Sequence, residues 1–238
     1  MISNQDIKDA TLYVDGVDIY PATGALIKDF TVGGTDVKPK AYQGMDSTSF
    51  NVLTVVRGMR AITVSLFYKA RDKRELALKK SKLDTLLGAG KIDLHLPDGF
   101  HYMAYMTNSG KESVLGVEGD EVIAVCAYKF NGIRHDDLVS VSVASGVSFW
   151  CDSLAPKTDC KITCKSTANR ASMTIGTVTI TTVHVNDIIT VDGINKRILQ
   201  NGAPCAGNMS FIKFPKLVPG MNTISCPDTM TVEYYPTY

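Results

Sequence analysis

The chain has 238 residues and a net charge of +1, with 25 Lys plus Arg set against 24 Asp plus Glu. Hydrophobic residues are 45% and charged residues 21%, which excludes wholesale disorder. The charge balance argues against a nucleic-acid binder or a polybasic membrane docker. No run of about 18 or more apolar residues occurs, so no membrane span is expected.

The start of the chain, Met1 to Ala10, lacks the charged and then apolar regions of an export signal. Beyond it the dominant period is two. The segment 11–15 alternates, and Asp15-Gly16 reads as a tight hairpin turn. Residues 32–51 are polar and Gly-rich, and read as an extended loop that reaches a partner or simply connects two strands. Residues 61–69 form an apolar, β-branched strand.

One helix interrupts the strands, over 72–87. Asp72 caps it, and Glu75 three residues on suggests a capping box. Leu76, Leu83, Leu86 and Leu87 line one face, with Lys79, Lys80 and Lys82 largely elsewhere. Gly88 stops it. Such a helix packs on a sheet or against a neighbouring subunit.

Strands follow at 91–96, 121–130 and 138–144, then at 172–183, 188–199, 210–214, 221–225 and 229–235. Asp192-Gly193 reads as a second hairpin turn. The layout is all-β with many short strands, the pattern of sandwiches. The second half is Thr-rich and poor in Glu, and a domain break is placed near 150.

No catalytic arrangement emerges. There is no GxSxG, no GxGxxG and no GxxxxGK[ST] loop, so no enzyme and no cofactor is expected. His95 and His101 face each other across a predicted hairpin at 91–105, a weak metal-like suggestion beside the plainer reading of ordinary strand histidines. Asp136 and Asp137 after His135 read as a solvated loop. The six cysteines, at 126, 151, 160, 164, 205 and 226, read chiefly as reduced, buried core residues, with one or two disulfides or a metal site as alternatives. Cys160 and Cys164 share a strand face about 13 Å apart, too far for a bond with each other. Trp150 is the only tryptophan. It and the tyrosines at 234, 235 and 238 are either interface or core residues, or a platform for stacking sugars.

The last fifty residues carry the most specific pattern. Asp187, Ile188, Val191 and Asp192 form one element, and Lys196, Asn201 and Gly202 the next. Phe214, Pro215, Leu217, Pro219, Gly220, Asn222 and Ile224 form a third. Pro219-Gly220 reads as a turn, with Asn222 capping it locally and Ile224 entering the core. This order resembles the C-terminal half of phage distal tail proteins, the Dit family of baseplate hub components. The first half fits the same family more loosely, through a strand, a capped helix and a hairpin over 57–106.

The resemblance implies an N-terminal β-sandwich with one helix packed on it (1–150), which forms the ring. It also implies a C-terminal galectin-like β-sandwich (151–238). The implied protein is structural: a hexameric ring at the distal end of the tail tube, assembled in the bacterial host cytoplasm and carried in the virion tail. Its implied partners are further copies of itself, the tail tube protein, the tail hub protein, and a receptor-binding protein or surface glycan. The helix, with Leu76, Leu83 and Leu87, and the segment 32–51 are the expected contacts with neighbours. Trp150, Phe214, Pro215, Pro219, Gly220 and Asn222 are further interface or fold-motif candidates. The alternative is a carbohydrate-binding module that attaches to a host surface.

Overall fold

The computed structural model describes residues 10–42, 51–205 and 207–238, with side chains described except at 36, 39–42 and 51–57. The chain divides into two compact units, Met1–Arg134 and His135–Tyr238. Both are built mainly of strands, as the period of two predicts. The break falls ahead of the expected position near 150, because pairing claims the intervening residues. Val139–Val143 pairs with Met230–Tyr234, and Phe149–Cys151 pairs with Gly220–Asn222. Residues 135–150 thus belong to the second unit.

The first unit is one eight-stranded sheet. Its order is Val17–Asp18, Tyr13–Val14, Ile92–His95, His101–Ser109, Glu121–His135, Asn51–Ala70 and Leu26–Tyr42, with Ser113–Glu118 joined to Glu121–His135. The Asp15-Gly16 turn forms as read: both residues have positive φ (51° and 77°), the backbone a two-residue hairpin needs. Residues 32–42 do not form the expected loop. Leu26–Tyr42 is a strand that pairs antiparallel with Asn51–Ala70, from Leu26 opposite Phe67 to Tyr42 opposite Asn51. Four register shifts absorb its irregular sequence. Pro39 is tolerated because this strand is an edge of the sheet. Residues 43–50 of the predicted loop lie outside the described residues.

The helix spans Lys73–Leu87. Asp72 caps it by accepting the N–H of Glu75 at 2.8 Å. Glu75 reaches back one residue further than a standard capping box, accepting the N–H of Arg71 at 3.0 Å. Leu76, Leu83 and Leu87 enter a core that includes Ile62, Val64, Leu66 and Tyr68 from the sheet. Leu86 does not join them and stays 36% exposed. Gly88 ends the helix without a left-handed turn (φ −92°); a Cβ there would lie 2.7 Å from the Asp84 carbonyl oxygen.

In the second unit a seven-stranded sheet runs Ala203–Pro204, Arg197–Gln200, Ile188–Asp192, Thr158–Lys165, Met230–Tyr234 and Val139–Val143, with Lys216–Leu217 joined to Thr158–Lys165. A three-stranded sheet holds Arg170–Ile175, Val178–Val183 and Met209–Phe211. Ile162, Val191 and Val232 from the first sheet share one core with Met173, Ile175, Val178 and Ile180 from the other. This is a two-sheet sandwich in which alternate residues point inward. All six cysteines of the chain are buried and unbridged, packed as small apolar side chains.

Candidate functional site

The motif residues of the second unit form scaffold bonds. Asp187 accepts the side-chain amides of Asn201 and Gln200, each at 2.8 Å, and the N–H of His184 at 2.7 Å. These donors, Asn201 foremost, hold its carboxyl below the usual carboxylate range. Asn201 and Gly202 both have positive φ (52° and 81°) and make the turn that sets Gln200 opposite Ala203. Asp192 is fully buried. Burial alone would raise its pKa, but the Asn195 side chain and backbone N–H, with Arg197, lower it overall. The expected two-residue turn at Asp192-Gly193 is instead a four-residue connection, because Asp192 pairs with Arg197. Lys196 takes the left-handed conformation there (φ 57°).

The Pro-rich element re-enters the core as its sequence suggests. Pro215 is buried against Gly176, whose added Cβ would lie 3.0 Å from the Pro215 ring. Phe214 is half-buried, beside Phe211 with ring centroids 5.3 Å apart. Pro219 is exposed, and Gly220 follows with φ 87°. The Asn222 side chain closes the turn: Nδ2 donates to the carbonyls of Val218 (2.7 Å) and Gly220 (2.8 Å), and Oδ1 accepts the N–H of Val218 (2.9 Å). Ile224 is buried beyond it.

Trp150 is set apart from this scaffold. It lies opposite Met221 in a two-stranded ribbon, and both side chains are 61% exposed. Its ring lies over Gly220, where a Cβ would sit at 3.8 Å. On the same face, the hydroxyls of Ser148 and Thr223 are 2.7 Å apart. The outward surface is thus an aromatic plane beside a thioether and two hydroxyls.

The C-terminal tyrosines do not form a platform. Tyr234 is fully buried. Tyr235 meets the buried His135 ring edge-on at 4.8 Å, and Tyr238 hydrogen-bonds Asp136. The His135-Asp136 segment is therefore tied to the chain end, not a solvated loop. Local sequence carries no signal for this, because the partners lie about a hundred residues apart. His95 and His101 do meet across their hairpin, with stacked rings 4.4 Å apart, and His101 Nδ1 lies 3.1 Å from Asp93. Among the described residues no group of three or more His, Cys, Asp or Glu side chains is arranged to hold a metal.

In the first unit Leu76, Leu83 and Leu87 are core residues and not surface contacts. The most exposed large apolar residue of the helix is Leu78, at 62%. The strand Ser113–Glu118 is exposed along its whole length and carries Val114, Leu115 and Val117, each at least 58% exposed. The sequence reading missed this strand. No described helix is long and apolar enough to cross a membrane.

The fold is that of phage baseplate hub proteins. The chain is similar to the Dit protein of phage SPP1, described as a paradigm of the hub adsorption apparatus in phages that infect Gram-positive bacteria. The TM-score is 0.69 at 12% identity, over 96% of this chain and 98% of that one. It is also similar to chains of the phage P2 baseplate in its activated conformation with Ca (TM-score 0.58, 7% identity, 93% of each chain). For the same baseplate with Sr, the TM-score is 0.55 at 8% identity, over 91% of this chain and 92% of that one. The sequence itself matches no protein-family model and no curated protein.

Proposed function

We propose that this chain is a distal tail protein of the Dit type, a structural component of a phage tail that forms a ring, with six copies, joining the tail tube to the tail hub and receptor-binding apparatus. The observation that carries the reading is the likeness to SPP1 Dit over 96% of the chain, both units included. The motif residues support it in a second way. The side chains of Asp187, Asn201 and Asn222 are bonded within turns, as a scaffold requires. A closed ring needs a heterologous contact between two different faces of each copy. The first unit offers exposed apolar residues for it at Leu78, Val114, Leu115 and Val117. The second unit takes the galectin-like, peripheral place in this reading.

Light scattering over rising concentration, with and without the neighbouring tail-tube protein, tests the ring. Six copies of the 25.8 kDa chain give a particle of about 155 kDa. A mass that stays at one chain under both conditions overturns the proposal.

The second reading, attachment to a surface glycan, is favoured by one observation: Trp150 lies open beside the Ser148 and Thr223 hydroxyls. Aromatic planes take the apolar faces of sugars, and hydroxyls their edges. Binding of the full chain on a glycan array, lost in Trp150→Ala, supports it. Absence of glycan binding removes it and leaves the ring proposal standing.

A further inference from the structure

Two of the buried cysteines stand apart from the other four. Cys164 lies on the strand Thr158–Lys165, opposite Met230 and Ile189. Cys226 sits four residues before Met230, on the chain that enters the last strand. The two sulfurs are 3.4 Å apart, and the residues are 1% and 3% exposed. They are therefore in contact, about 1.4 Å beyond the S–S bond length of about 2.05 Å. Cys164 Sγ also approaches the Thr229 carbonyl at 3.4 Å, and other thiols have different partners. Cys126 Sγ approaches the Gly110 carbonyl at 3.0 Å and Cys160 Sγ the Pro215 carbonyl at 3.6 Å.

The surroundings favour reaction at one sulfur of the pair. The hydrogen bond it shares with Cys164, and then the N–H of Asp228, lower the Cys226 thiol against the opposing effect of burial. The Cys164 thiol is pushed up, first by its bond to Cys226 and then by burial. Burial raises the thiols of Cys126, Cys160 and Cys205. The Asp228 charge raises the pKa of both members of the pair and the Arg170 charge lowers it; the two side chains form an ion pair of 2.7 Å. The Asp228 side chain is 5% exposed and also accepts the Thr167 backbone N–H, which ties the residues after Cys164 to those after Cys226.

We propose that Cys164 and Cys226 are a site of disulfide formation by a hydroperoxide, and that the bond clamps the strand Thr158–Lys165 to the entry of the final strand. The Cys226 thiolate attacks one peroxide oxygen; the O–O bond breaks, and the departing hydroxide takes up a proton as water. The sulfenic acid left on Cys226 is attacked by the Cys164 sulfur. The S–O bond breaks, the S–S bond forms, and the hydroxide leaves as a second water with the Cys164 proton. The two sulfurs together lose two electrons, and one hydrogen peroxide becomes two waters. For a tail component, the bond would form after release from a reducing cytoplasm. The chemistry does not depend on that reading.

The test uses the reduced full chain and stoichiometric hydrogen peroxide, followed by acid denaturation, alkylation and peptide mapping. Four of the six thiols should remain alkylatable, with a single bridge joining the peptides of Cys164 and Cys226. The melting transition of the second unit should rise by about 5 °C or more and return on addition of dithiothreitol. Cys164→Ala should give neither bridge nor rise. Six alkylatable thiols after peroxide, a bridge between other cysteines, or sulfinic acid at Cys226 without a bridge overturns the site. A bridge that leaves the melting transition unmoved overturns the clamp. If Cys164→Ala does not fold, the peptide map of the parent chain decides.

Discussion

Asn201 is bonded to Asp187 from across a hairpin: its amide donates to Oδ1 at 2.8 Å, while its own side-chain oxygen accepts the N–H of Ile188 at 2.8 Å. One side chain thus closes the open end of the hairpin 188–200 while its backbone takes the left-handed turn. Two motif residues fourteen positions apart in sequence are one structural device.

That device can be taken apart. Asn201→Gly keeps the left-handed backbone and loses the two side-chain bonds; Asn201→Ala loses both. We expect Asn201→Gly to cost about 1–2 kcal/mol of second-unit stability, and Asn201→Ala about 1–2 kcal/mol more. Urea unfolding measures the difference. Equal losses in the two variants would mean that the φ of 52° contributes nothing.

Asp187 also sets an acid dependence. Its pKa in the folded chain lies below the unfolded value of about 3.9, because three donors, Asn201 foremost, favour the carboxylate. A group with a lowered folded pKa contributes stability above the unfolded value and loses it as pH falls through the folded value. The parent chain should therefore be more stable than Asp187→Asn at pH 7, with the two converging below about pH 4. A constant gap across that window would show that the carboxylate charge is not the cause.

The helix separates folding from assembly. Leu83 is fully buried, so Leu83→Ala should cost about 2–5 kcal/mol in the first unit, and Leu83→Asp should prevent it from folding. Leu78 is 62% exposed, and Leu78→Asp should leave the melting transition within about 2 °C of the parent. Under the ring proposal it should lower the assembled mass. Circular dichroism and light scattering on the same samples distinguish the two effects.

What could be read from sequence followed the range of the interaction. The helix was legible to within a residue because its signals are local: Asp72, Glu75 and Gly88 act within a turn or so of where they stand. The period of two disclosed the inward faces of most strands. Among the strands that escaped it, two show why. The strand Leu26–Tyr42 carries glycines and a proline and is held by its partner Asn51–Ala70, so from residue 32 onward it reads as a loop. Ser113–Glu118 is exposed on both faces, so it has no inward set of residues to reveal it. The domain break was misplaced for the same reason. Whether 139–143 belongs to the first or second unit depends on its pairing with 230–234, some ninety residues on. At the candidate site, the turn chemistry of Asn222 was legible from Pro219-Gly220. The contact between Cys164 and Cys226 was not, since nothing in their spacing distinguishes them from the other four.

Gly193 shows how a correct residue can carry a wrong reason. Asp192-Gly193 suggests a hairpin tip that needs glycine for its left-handed backbone, yet the left-handed residue is Lys196. Gly193 instead lies against the strand Thr158–Lys165, donating its N–H to the Cys160 carbonyl at 2.9 Å. An added Cβ would stand 2.7 Å from that same oxygen, and 3.5 Å from both the Pro215 carbonyl oxygen and the Phe214 Cβ. The near atom is backbone in a central strand and cannot rotate away. Gly193→Ala should therefore cost about 2–4 kcal/mol by urea unfolding, through lost pairing at Cys160 and displacement of the Pro215 segment. Gly202→Ala makes the comparison informative: nothing lies within 4 Å of its Cβ, and only its φ of 81° opposes the side chain. That variant should cost about 1–2 kcal/mol. If Gly193→Ala proved the milder of the two, close approach would not be the reason for glycine at 193.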